Sequence, residues 1–166
     1  MAKGSATESR GVIRFLQFAE EVQSGQISVE TRPVVVIDSF RVDLDLEGRS
    51  AGNGDLELVI HRLPADVDTT TTFAELDPFF DDSTEIAAIQ VPDSVAAGVI
   101  SAILPGDAFP DLAADSLVAA IGIALRSSSQ GFANLGTVDG DFQNITVTRY
   151  VQVDSADGLL AARADT

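Results

Sequence analysis

Residues 40–60 read FRVDLDLEGRSAGNGDLELVI, and this stretch decides the fold class. Phe40, Val42, Leu44 and Leu46 alternate with Arg41, Asp43, Asp45 and Glu47. Successive side chains of a strand point to opposite faces, so strict alternation marks a strand with one face buried and the other in water. The strand extends back through Val34–Ile37. Gly48–Gly54 interrupts it with glycine and asparagine, and Leu56, Leu58 and Ile60 resume the alternation. The pattern predicts an antiparallel hairpin over 34–63, with Phe40, Val42, Leu44, Leu56, Leu58 and Ile60 facing one core.

Working outward, Glu85–Val91 reads as another strand, closed by Pro92. Val95–Leu104 and Leu117–Leu125 are continuous aliphatic runs that fit either period. Leu117, Val118, Ile121, Ala124 and Leu125 would form a helix face; Leu117, Ala119, Ile121, Ile123 and Leu125 would form a strand face. Shortness, flanking Pro or Ser and internal glycine favour strand for both. Phe132–Val138, Asp139-Gly140 and Phe142–Val153 read as a second hairpin. Seven or eight strands with unequal loops suit an antiparallel β-sandwich, whose commonest eight-stranded form is the jelly roll.

The ends read differently. Residues 1–9 are small and polar. Val12, Phe15, Leu16, Ala19 and Val22 then recur at helical spacing between Ser9 as N-cap and Gly25 as stop, which predicts a short amphipathic helix. The expected organisation is an arm with its helix over 1–25, a β-sandwich over 26–153 and a polar tail over 154–166.

The charge names a solvent. The chain has 26 acidic against 10 basic residues, a net charge of −16, and its one lysine, Lys3, stands beside nine arginines. Short carboxylates in such excess hold water and cations, and their mutual repulsion needs screening, so the composition points to concentrated salt. A GC-rich genome would also favour Arg over Lys, but it does not explain so large a net charge. A 45% hydrophobic content excludes disorder and leaves aliphatic surface for a core and for partners. Phosphate binding needs a basic stripe, and none is present, so direct contact with nucleic acid is not expected. With no cysteine, thiol catalysis, thiolate metal sites and disulfides are excluded. Met1–Arg14 has no apolar core of signal-peptide length, and nothing later approaches a membrane span.

The inventory of chemical motifs is empty. His61, the single histidine, lies by strand parity opposite Leu58 and Ile60 and reads as a surface or interface residue, with no partner in view to make it a base. Asp77, Asp81, Asp82 and Glu85 form the densest acidic group, around Pro78, Phe79 and Phe80. They are the candidate ligands for a hard cation, sodium or calcium, although the spacing is not that of an EF-hand. The favoured reading is a solvated loop anchored by its two phenylalanines, with only non-specific cation binding and no cofactor. Asn144-Ile145-Thr146 is a glycosylation sequon inside an expected strand with no secretory signal. Ser127–Ser129 and the glycines at 48, 52 and 54 lack the lysine and helix start of a phosphate loop.

The two hairpins at 34–63 and 132–153, the aliphatic strands between them and the arm before them give the chain its likeness. In pattern it resembles the single jelly-roll capsid proteins of viruses that infect halophilic archaea. The resemblance implies a non-enzymatic virion subunit, in the shell or accessory to it, assembling with itself and other structural proteins as rings or hexagonal arrays. The arm, with Lys3, Arg10, Arg14, Phe15 and Phe18, would either cap its own domain or dock on an acidic neighbouring subunit. The rival expectations are a ligand-binding or enzymatic β-barrel in a halophile's cytoplasm, marked by a pocket with convergent polar groups, and a tail or decoration component of a virion.

Overall fold

Strand β3, Glu30–Arg49, is the spine of the computed structural model, which describes residues 10–16, 21–24, 30–50, 52, 54–109, 118–126, 131–136, 145–155 and 158–165. Phe40 of β3 stands opposite both Leu104 and Arg149, so β6 (Gly98–Pro105) and β9 (Ile145–Ser155) flank β3 on its two sides. β10 (Gly158–Asp165) pairs β9, β2 (Glu21–Ser24) pairs the start of β3, and β8 (Ala133–Leu135) pairs its end, which completes a six-stranded sheet. A four-stranded sheet runs in the order β1 (Arg10–Leu16), β7 (Val118–Leu125), β4 (Leu56–Leu63), β5 (Glu85–Val91). Every pairing is antiparallel. The pairings nest: β4 with β5, β3 with β6 around them, β1 with β7 around those. The described helices are α1 (Phe73–Leu76) and two 3-10 turns, and none is long and apolar enough to cross a membrane.

The arrangement is sandwich-like. Phe40, Val42, Leu44 and Leu46 of β3 share one apolar cluster with Leu56, Leu58 and Ile60 of β4, Ile100, Ala102 and Leu104 of β6, Ile121 and Ile123 of β7 and Val147 of β9. All six residues predicted to face one core do so. They do not do it as a hairpin: β3 and β4 lie in different sheets and meet across the core. Alternation reports which face of a strand turns inward, and it is the same for a bonded neighbour and for a strand opposite. The chain therefore crosses between sheets from the end of β3 to the start of β4, with no hairpin turn joining them.

Three other expectations are corrected. Residues 10–16 and 21–24 are strands, where the spacing predicted a helix. The apolar residues at 12, 13, 15 and 16 fit both periods, and the flank of β7 offers β1 seven paired positions with Ile13 and Phe15 turned inward. Second, β8 and β9, the described strands of the expected 132–153 hairpin, do not pair with each other. Leu46 is opposite both Gly98 and Leu135, so β8 lies on the side of β3 away from β6, the side that β9 also occupies. Asp139-Gly140 falls outside the described residues. The hairpin here is β9–β10, with Ser155 opposite Gly158, whose φ of 109° is left-handed backbone suited to glycine. Third, the supposed polar tail is thereby part of the sheet. The two ambiguous runs form β6 and β7. β7 is buried on both faces from Ala119 to Ala124, which is why no alternation is visible in it.

Candidate functional site

The outer face of the four-stranded sheet carries His61 and the acidic loop that the sequence singled out. Residues 64–84 leave β4 and fold back over this face. Val67 and Leu76, with Phe79 and Phe80, pack on Leu63 and Ala120 as a second apolar cluster. The Phe80 ring rests on Gly122: a Cβ there would lie 2.6 Å from the ring, so only glycine leaves room for it. α1 is started by a capping box, the Thr72 hydroxyl accepting from the Glu75 amide while the Glu75 carboxylate accepts from the Thr72 amide.

This cover overturns the surface reading of His61. The residue does lie on the face opposite Leu58 and Ile60, but that face is roofed, and His61 is 5% exposed. Its ring is 5.2 Å from that of Phe80. Nδ1 is 3.1 Å from the Thr84 hydroxyl oxygen, whose own hydrogen is directed at the Phe79 and Asp81 carbonyls, so the ring nitrogen is the donor. Burial, ahead of every other influence, pushes the imidazole pKa below its ordinary value.

Arg10 fastens the cover. Its guanidinium lies 4.7 Å from the centre of the Phe73 ring and 4.5 Å from that of Phe80, and it donates to Asp77 Oδ1 at 2.8 Å. The side chain is 10% exposed. Of the residues assigned to an interface arm, Arg10 thus engages the acidic loop of its own chain, and Phe15 lies in its own core. Arg14 is exposed, and Lys3 and Phe18 lie outside the described residues.

The four nominated cation ligands are not brought together. Asp77 takes Arg10, and Asp81 caps the 3-10 turn at 82–84 by accepting from the Ser83 amide at 2.9 Å. Asp82 is exposed, and Glu85 accepts from Arg126 at 2.7 Å. Among the described residues no three carboxylates or histidines converge as a metal site. A groove of about 470 Å³ opens between Pro64, Val67, Leu76 and Phe79, with Asp68 and Glu75 on its wall. Both carboxylates are committed. The Thr70 hydroxyl and amide hold Asp68 below its usual pKa, and the Thr72 amide and hydroxyl do the same for Glu75; the Ser83 amide lowers Asp81 likewise. Chemically, these groups cap turns and close ion pairs.

Sequence reasoning passed over two features. Arg49, with its side chain 1% exposed, donates to the carbonyls of Ser50, Gly54, Val91 and Pro92 and to Asp93. It ties the crossing after β3 to the turn after β5, and no pattern signalled it. The second is the outer side of β6, where Val99 is 68% and Ile103 61% exposed. That signal was legible: the run from 98 to 104 is apolar at nearly every position, so a strand buried on one side only would display bare aliphatic groups on the other. Comparison of the chain with family models, with curated proteins and with solved structures gave no match.

Proposed function

We propose that this chain is a non-enzymatic, self-assembling jelly-roll subunit of a virion, in its shell or accessory to it, adapted to high salt. The nested antiparallel pairing carries the proposal: β4–β5 inside β3–β6 inside β1–β7, with the chain changing sheets after β1, β3, β5, β6 and β7. A jelly roll winds its strands in this order. The place beside β9, which a strand before β1 would fill, is held by β10. The commitment of the acidic loop to caps and ion pairs favours scaffolding over turnover, and Val99 and Ile103 supply bare apolar surface for contact between copies. The net charge of −16 makes molar salt the working solvent, and partners are further copies and other structural proteins rather than nucleic acid.

The test is sedimentation and negative-stain microscopy of the full chain in molar salt and again at about 0.1 M, where the screening length grows to roughly 10 Å. Rings, arrays or closed particles at high salt that loosen at low salt are expected. A chain that stays monomeric at high concentration in molar salt overturns the proposal.

A further inference from the structure

We infer that the open edge of β6 is the contact between copies, two chains joining their six-stranded sheets through antiparallel β6–β6 pairing about Ser101. The inference rests on the assembly proposed above and names its surface and its partner, a second copy of this chain.

β6 pairs β3 on one flank; no described strand forms a ladder with the other, although β5 of the facing sheet lies close to β6. Exposed strand edges are ready templates for another strand, and proteins usually blunt them with charge, proline or a bulge. Among the described strands β1, β2, β5, β6, β8 and β10 each pair on one flank only. β1 carries Arg10 and Arg14, β2 Glu21, β5 Glu85 and β10 Arg163 and Asp165; β6, GVISAILP, and the three-residue β8, ANL, have no charged residue, and β6 is the longer of the two. In a chain of net charge −16 this is the edge along which a second copy approaches without like charges meeting on the strands.

The register follows from the exposed side chains. An isologous pair must be self-complementary, residue i on one copy meeting j while j meets i. Centring the two-fold on Ser101 places Val99 opposite Ile103 of the second copy, and Ile103 opposite its Val99. The two large exposed aliphatics of each copy then cover those of the other. β3 supplies the next position in each row: Arg41 stands beside Ile103, Asp45 beside Val99 and Asp43 beside Ser101. Each outer row therefore runs Arg41, Ile103, Val99, Asp45 across the junction, with opposite charges at its ends. In the central row Asp43 is already engaged within its own chain, by Arg41 at 2.8 Å and by the Ser101 hydroxyl. The acid nearest the two-fold is neutralised before the copies meet.

Sedimentation and cross-linking of the full chain in molar salt, with five single variants, test this. Val99→Lys and Ile103→Lys alter exposed positions and should lose the dimer, whereas Val35→Lys, an exposed valine elsewhere on β3, should keep it. Ser101→Cys gives the cysteine-free chain a single thiol, which in the proposed register faces its own copy with Cβ atoms about 5 Å apart. A short bis-maleimide should then cross-link it to dimer, and Val35→Cys should not respond. Association that survives both lysine variants, or a Ser101→Cys protein that does not cross-link while associated, overturns the edge contact and leaves the assembly proposal standing. A wild-type chain that never associates overturns both.

Discussion

The contact between Phe80 and Gly122 tests whether the 64–84 cover is part of the cooperative fold. In Gly122→Ala the new methyl would sit 2.6 and 2.7 Å from two Phe80 ring carbons and 3.3 Å from a Leu63 methyl. Forcing an extra carbon into a filled site costs about 1–3 kcal/mol. Replacing glycine inside a strand by alanine returns about 0.5–1 kcal/mol through the backbone. The net expectation for the single variant is a loss of about 1–2 kcal/mol. In a Phe80→Leu background the ring is gone, the methyl has room, and the same substitution should be neutral or gain about 0.5–1 kcal/mol. The coupling between the sites is then of the order of 2 kcal/mol, within the range for residues in contact. For a chain of 166 residues that corresponds to about 4–8 °C of non-additivity in Tm. Urea and thermal unfolding of wild type, both singles and the double in molar salt measure it. Additivity within about 0.5 kcal/mol would refute the reasoning, since it would mean the cover moves aside without cost.

Three further outcomes are expected. Arg49→Lys should cost about 3 kcal/mol or more in urea unfolding, because one ammonium cannot serve four carbonyls and Asp93, and a loss below about 1 kcal/mol would show the clamp to be dispensable. His61 has a folded pKa below its unfolded value, so the unfolded chain binds more protons below about pH 6.5 and stability should fall as pH drops from 8 to 5. As the chain has no other histidine, His61→Gln should flatten that slope, and an unchanged slope contradicts the assignment. Lowering salt from molar to about 0.1 M lengthens the screening distance from about 3 to 10 Å, so Tm should decline; an equal Tm at both ends refutes salt adaptation.

How much was legible in the sequence follows from what alternation encodes. The inward faces of β3 and β4 were readable because Phe40–Leu46 and Leu56–Ile60 alternate with polar residues, and every one of these apolar side chains is buried. Their neighbours were not readable. Pairing across the core and pairing within a sheet leave the same pattern, so both supposed hairpins were misplaced. Arg10–Leu16 satisfied helical and extended spacing alike, and the flank of β7 decided between them. At the candidate site, the phenylalanines at 79 and 80 were correctly read as anchors of an acidic loop. Where that loop lands was hidden, because the room for Phe80 is made by Gly122, more than 40 positions away, and a missing side chain leaves no periodic trace.

The arginines explain how so acidic a chain holds together in its proposed solvent. Arg10 joins β1 to Asp77, Arg49 joins the end of β3 to Asp93, and Arg126 joins β7 to Glu57 of β4 and Glu85 of β5. Each links segments more than 40 positions apart in sequence. A lysine would not replace them: Arg10 stacks between two rings, Arg49 divides its donors among several carbonyls, and Arg126 spans two carboxylates, all of which use the planar fork of a guanidinium. Salt acts unequally on the two sets of charges. Repulsion between exposed carboxylates works over distances that molar salt screens, whereas ion pairs with a partly or wholly buried arginine are screened far less. Raising the salt therefore removes the opposing charge effect and leaves the clamps. The clamps of Arg10, Arg49 and Arg126 would thus outlast the screening that relieves the acidic excess, and in the proposed assembly the uncharged edge of β6 would put few like charges between one copy and the next.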